Sequence, residues 1–340
     1  MASSISHSER RVPRLALRLL AVAGLTWATC AAYSLWLNPE TRFIKVVAHT
    51  KQNWAQKMTR EHGAKFLIFS ASSSMFSIDA ERLLERHHLP LVNMGLVRAY
   101  NAKMITEWAL SETKRGDTLI MAFEPGLLTE DVQPTSEAVQ FAYAMRSPWW
   151  IHGVLEPFAP LGPGSLLGLR PGGYHVCTLL WKIPQRRPMY RYSIAEIHPS
   201  GWVETPVRMN LGGAPGHGEK ISPGASVLLL SLDNWCRTNG VRLCYSLPLA
   251  WCAPNELQYF QRQNAKFLLE ISEFLPVLAD RRLGAHTNAE LFADTAWHLN
   301  TTGVALRTDE LAAQLRAGRM WKPEELRFIS TNGFAALPSN

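Results

Sequence analysis

Lys65-Phe-Leu-Ile-Phe-Ser-Ala-Ser-Ser-Ser74 passes from one charge through four large apolar side chains into a cluster of serines. An unbroken apolar run of strand length, closed by small polar residues, reads as a buried β-strand. Reading outward, residues 78–88 carry Leu83 and Leu84 among charges and suit an amphipathic helix. Residues 89–95 form a second strand ending in Gly95, and residues 99–114 a helix with Ile105, Trp108 and Ala109 at helical spacing. Residues 116–123 form a third strand. Strands that alternate with helices in this way predict an α/β fold with a parallel sheet and crossover helices. The alternation resumes with a helix at 225–239, a strand at 241–246, a helix at 255–274 and a last helix at 302–317 carrying Leu306, Leu311 and Leu315. Between them, about 126–222, lies a stretch rich in Pro, Gly and Trp. It is too long for one structureless loop and is read as an insertion or cap.

The chain of 340 residues is long enough for a full core, and its net charge is +7. Arg10, Arg11, Arg14 and Arg18 against Glu9 already supply three of those charges, and no long basic run follows. That pattern argues against a nucleic-acid partner. Residues 19–37 contain no charge and can just cross a hydrocarbon core of roughly 30 Å. Arginines before the stretch and the aromatics Tyr33 and Trp36 at its end predict a single-pass anchor. Residues 1–18 would then be cytoplasmic and the rest periplasmic or extracellular. A cleaved signal peptide, cut near Ala31-Ala32, is the alternative. Residues 38–63 read as a polar, partly helical stalk, residues 64–318 as the main domain and residues 319–340 as a tail. Beyond the anchor, Cys177, Cys236, Cys244 and Cys252 permit two disulfides in any of three pairings, or simply a buried Cys244.

Two segments offer chemistry. The serine cluster follows a strand, where open α/β sheets bind ligands; serines also serve as ordinary loop and cap residues. Asp294-Thr-Ala-Trp-His298 puts a base and its orienting carboxylate in one segment, and Asn300 or Thr301 then caps the last helix. His87-His88 and the histidines of the insertion lack ligand spacing, so no metal is expected. Trp149, Trp150 and Trp202 suit either stacking on sugar rings or the packing of a cap.

Ser70-Ala71-Ser72 after the first strand, Ser77-Ile78-Asp79, Asn93-Met94-Gly95 and Asp294-Thr-Ala-Trp-His298 together resemble the SGNH (GDSL-like) hydrolase superfamily. The likeness is to its membrane-anchored branch, which includes bacterial cell-surface polysaccharide O-acetylation proteins and the D-alanyl-lipoteichoic acid biosynthesis protein. It covers roughly residues 65–130 and 225–317. The resemblance implies a three-layer α/β/α, flavodoxin-like fold and a cofactor-free Ser-His-Asp triad. Ser72 would be the nucleophile, with Ser73 and Ser74 as fallbacks, His298 the base and Asp294 its orienter. The amides of Ser72 and Gly95 would hold the oxyanion. Where the family carries Gly-x-Asn-Asp, this chain has Phe123-Glu124-Pro125-Gly126, without the donating Asn. Ser73, Glu124, Trp149, Trp150 and Trp202 are the candidate substrate contacts. The implied partners are a cell-envelope polysaccharide or glycolipid and a multi-spanning membrane acyltransferase that feeds the site. A non-enzymatic carbohydrate-binding or assembly subunit and a secreted lipase-like esterase are the rival expectations.

Overall fold

The computed structural model describes residues 11–130, 132, 135–145, 154–155, 169, 173–186, 190–205 and 220–334. Its first helix, α1 (Arg11–Ala32), continues through a π-helical turn at Tyr33–Leu37. The segment Arg14–Leu37 is long and apolar enough to cross a membrane, and Leu15, Leu19, Leu20 and Leu25 project from it exposed. Only its far end is covered: Ala31 and Ser34 are buried where the π turn meets the helix Ser136–Met145.

Asn38 leaves the helical path and caps α2 (Pro39–His62), its side chain accepting the Glu40 amide at 3.0 Å. This segment is not a stalk. Phe43, Ile44, Val47, Ala48, Trp54, Ala55 and Met58 enter the main core, and the Trp54 indole donates to Leu91 O at 2.9 Å. Those positions recur at three- and four-residue spacing, a helical stripe that the abundant Lys, Arg and His of the opposite face obscured.

The sheet contains β1 (Phe66–Phe69), β2 (Leu91–Asn93), β3 (Thr118–Met121) and β4 (Arg242–Tyr245), in the order β2-β1-β3-β4 and all parallel. Its connecting helices are α3 (Ser72–Met75) and α4 (Ala80–His87) after β1, α5 (Asn101–Ser111) after β2, and α6 (Pro125–Thr129), α7 (Ser136–Met145) and α8 (Gly173–Lys182) after β3; α9 (Pro223–Asn239) leads into β4. A short parallel pair, β5 (Ala250–Trp251) and β6 (Ala285–His286), brackets α10 (Leu257–Ser272), and α11 (Thr301–Ala317) and α12 (Pro323–Asn332) follow. The expected elements are present with ends trimmed by a few residues. The supposed C-terminal tail instead folds back: α12 packs on α10, with Trp321, Leu326 and Ile329 in the core.

Successive strands lie on opposite sides of β1, so the chain reverses direction across the sheet between β1 and β3. Their carboxyl ends therefore open a crevice into which both following loops project. At the other end the strands are pinned by a buried ion pair, Lys65 Nζ to Asp117 Oδ2 at 2.7 Å, both side chains fully buried. Asp117 also accepts the amides of Lys65 and Lys114. Removing one member strands the other charge in the interior. We therefore expect Asp117→Ala to lower unfolding free energy by about 3–5 kcal/mol, measured by denaturant titration.

Candidate active site

Ala71 leaves β1 with ψ near −149°, and Ser72 begins the single turn α3. The serines beside Ser72 are buried, and the hydroxyls of Ser70 and Ser73 are engaged. Ser70 Oγ lies 2.8 Å from Ser73 Oγ and accepts the Ser74 amide at 3.1 Å. Ser72 alone is partly exposed, and neither its hydroxyl nor its amide has a partner among the described residues. The Ser73 hydroxyl is thus engaged and Ser74 is buried, which leaves Ser72 as the accessible serine of the three. Across the crevice Glu124, fully buried at the end of β3, accepts the Ser73 amide at 3.2 Å. Burial raises its carboxyl pKa above the ordinary value, against the opposing pull of the Ser73 hydrogen bond and the charges of Arg98 and His298.

Beneath this turn lies a residue that the sequence reading passed over except as part of a strand end. The Asn93 side chain spends its whole hydrogen-bonding capacity. Nδ2 donates to Ser74 O and Ile78 O, both at 2.8 Å, while Oδ1 accepts Gly95 N at 3.0 Å and Lys51 Nζ at 3.2 Å. Lys51 also donates to Asn93 O at 2.7 Å. The Gly95 amide, expected in the oxyanion hole, is therefore engaged by Asn93. What Gly95 supplies is space: a Cβ there would stand 2.6 Å from Met75 N and 3.1 Å from Ala71 O. Lys51 has these two Asn93 oxygens as its partners among the described residues, and burial holds its pKa well below the usual lysine value.

The Asp294–His298 segment is a closed loop between a β-bridge, Phe292 to Leu299, and a backbone bond from Ala293 N to His298 O at 2.8 Å. Thr295 Oγ1 accepts the amides of Trp297 and His298. Asn300 caps α11 by accepting Gly303 N at 3.1 Å, so its N-x-T pattern is a helix start. Gly303 permits the closure, because a Cβ would lie 2.2 Å from Leu291 O. Within the loop His298 Nδ1 meets Asp294 Oδ1 at 2.8 Å. With Nδ1–H directed at the carboxylate, the lone pair of Nε2 faces away from it, and Nε2 has no partner among the described residues.

Two further groups fix Asp294, and both come from the stretch read as an insertion. The Tyr192 hydroxyl donates to Oδ2 at 3.0 Å, and Arg191 pairs with the same oxygen at 2.8 Å. Burial would raise the Asp294 pKa. The hydrogen bond and charge of His298, the Arg191 guanidinium and the Tyr192 hydroxyl outweigh it and hold the carboxyl below its ordinary value. Tyr192 itself stays protonated, its pKa raised by burial and then by the adjacent carboxylate. Short-range motifs do not reveal these partners. Arg-Tyr is an unremarkable pair, brought to the loop only by the fold.

The serine turn and the histidine loop meet through Phe76. Its amide donates to Ser72 O at 3.0 Å, and its ring lies 4.3 Å from the imidazole and 4.7 Å from Tyr192. Ser77 Oγ bonds Trp297 O at 3.3 Å. Ser72 Oγ and His298 Nε2 do not hydrogen-bond in this state; such contacts commonly tighten only with substrate.

No family model, curated protein or solved structure matches this chain. Its chemistry must be argued from the site alone.

Of the remaining candidates, Trp202 is buried and stacks on His198 at 4.0 Å. It packs with Leu249, Leu291, Phe292, Leu299 and Val304 beneath the histidine loop and presents no ring to a sugar. Trp149 and Trp150 lie outside the described residues. All five cysteines are free thiols, so neither permitted disulfide forms and Cys244 is a buried side chain; burial raises Cys236 and Cys244 to about 12.

Two outcomes follow. Gly95→Ala should displace the Ser72–Met75 turn and lower serine reactivity while the protein remains folded by circular dichroism. For Lys51, whose folded pKa is depressed, the unfolded state binds more protons between the two values, so its contribution to stability is lost as pH falls. The difference in unfolding free energy between wild type and Lys51→Met should accordingly move in favour of wild type as pH rises towards about 10.4.

Proposed function

We propose that this protein is a membrane-anchored, SGNH-like serine acyltransferase or esterase acting on acyl esters, O-acetyl foremost, of a cell-envelope polysaccharide. One observation carries the reading. The Asp294–His298 pair is buried, oriented by two further donors and left with an Nε2 that has no partner among the described residues, while one turn from its ring contact Phe76 stands the one partly exposed serine of Ser72–Ser74. Ser72 Oγ would attack the acyl carbonyl as His298 Nε2 takes its proton, and Asp294 would stabilise the imidazolium. His298 then protonates the leaving oxygen. A sugar hydroxyl, or water, deprotonated by the same imidazole, would release the acyl group from Ser72. The arrangement at the β1/β3 crevice supports a three-layer SGNH-like fold, and the proposed chemistry uses no cofactor. The arginines before α1 favour a cytoplasmic N-terminus and an outward-facing domain, supplied with acyl groups by a multi-spanning membrane acyltransferase.

A second reading, a binding or assembly subunit, draws on two observations: the Gly95 amide is spent on Asn93, and Glu124 occupies the Ser73 amide. Ser72 N–H is then the remaining donor from the expected set, and each missing oxyanion donor costs about 100- to 1000-fold in rate.

The test is covalent labelling of the full chain by a fluorophosphonate, read by intact mass. Wild type should gain one adduct, and Ser72→Ala and His298→Ala none. Asp294→Asn should label about 10⁴-fold more slowly. Glu124→Gln keeps an acceptor for Ser73 N–H and adds an amide donor where the family places Asn; labelling should quicken about tenfold or more. A folded wild type and Glu124→Gln that both stay unlabelled would establish the binding reading.

A further inference from the structure

α8 and the turn after it expose an apolar surface. Val176, Leu180, Trp181 and Ile183 are 38%, 67%, 68% and 58% accessible. Isolated exposed apolar residues need no explanation, but Leu180, Trp181 and Ile183 fall within four residues of one another. Outside the α1 segment, no other described stretch exposes three large apolar side chains so closely. Basic residues interrupt and follow the patch, with Lys182 at the helix end and Arg186 in the turn beyond.

The position of this surface follows from the rings downstream. Tyr190 lies 5.3 Å and Tyr192 5.9 Å from Phe43, centroid to centroid. Phe43 sits in the second turn of α2, directly after the span that ends at Leu37, which puts it within roughly 10 Å of that end. From Tyr190 the chain back to Ile183 reaches at most about 25 Å even if fully extended. The apolar helix is therefore tethered to the end of the domain from which α1 emerges.

We propose that α8 and its following turn form a second membrane contact, lying along the headgroup layer of the bilayer that α1 spans. Leu180 and Ile183 enter the acyl boundary, Trp181 sits at the interface, and the exposed Arg186 faces anionic headgroups. The occupant is the lipid surface, because the patch sets basic beside apolar side chains and is tethered, through Tyr190, near the end of a helix long and apolar enough to cross a membrane. The same segment runs on to Arg191 and Tyr192, so the lipid contact and the groups that hold Asp294 belong to one piece of chain. This inference rests on α1 as a membrane span and is independent of the chemistry at Ser72.

Cys177, exposed on α8, provides the probe, since Cys236, Cys244 and Cys252 are buried and Cys30 can be replaced by Ser. The full chain, labelled at Cys177 with an environment-sensitive NBD dye, is placed in nanodiscs of phosphatidylcholine and phosphatidylglycerol. The expected result is blue-shifted emission, quenched by doxyl-labelled lipid and protected from aqueous iodide. Leu180→Glu with Trp181→Glu should reverse all three while the chain still co-elutes with the nanodisc through α1. A wild-type probe open to iodide and insensitive to doxyl lipid overturns the proposal. So does protection that appears only when a membrane-protein extract is added, which would assign the surface to a protein partner. A chain that fails to co-elute overturns the span and the contact together, whatever the reactivity of Ser72.

Discussion

The fully satisfied amide of Asn93 is the constraint on which the site depends. A buried amide with all four hydrogen-bond positions filled is rigid, and any element that supplies one of its partners is held in register with the others. Here those elements are α2 through Lys51, the serine turn through Ser74 O and Ile78 O, and the strand end through Gly95 N–H. The helix that follows the apolar N-terminal segment is thus bonded, through one residue, to the turn that presents Ser72. Lys51 brings a desolvated amine into that network at an energetic cost, and the packing of α2 into the core must offset it.

The second half of the site rests on a different balance. Asp294 is buried, which alone would favour its neutral acid, yet three donors converge on its two oxygens and keep it ionised. Such a carboxylate holds the imidazole in one tautomer and leaves Nε2 to act as the base. Two of those donors, Arg191 and Tyr192, come from the stretch between β3 and β4, and Trp202 of the same stretch packs beneath the loop. The region outside the α/β alternation is therefore a working wall of the site.

Much of the fold was legible because apolar runs and helical stripes are local signals. The three apolar runs at 66–69, 89–95 and 116–123 became neighbouring parallel strands, and Asn300 became a cap, as their surroundings implied. Composition misled where it averaged over two faces: α2 and α12 look polar in sequence but each buries a stripe. The Asp294–His298 pairing was readable because four-residue spacing within a closed loop fixes it locally. The role of Asn93, the capture of the Gly95 amide and the arrival of Arg191 and Tyr192 were not readable. Each depends on contacts between residues far apart in the chain, where small shifts in register decide the donor and acceptor.

The most direct test of the central claim is to find where an acyl group lands. The full chain, incubated with p-nitrophenyl acetate and quenched in acid, would be digested and mapped by mass spectrometry. The account predicts a single stoichiometric acetyl group on Ser72, absent from His298→Ala. Acetyl groups scattered over lysines, or one on Ser73 or Ser74 in place of Ser72, would contradict it.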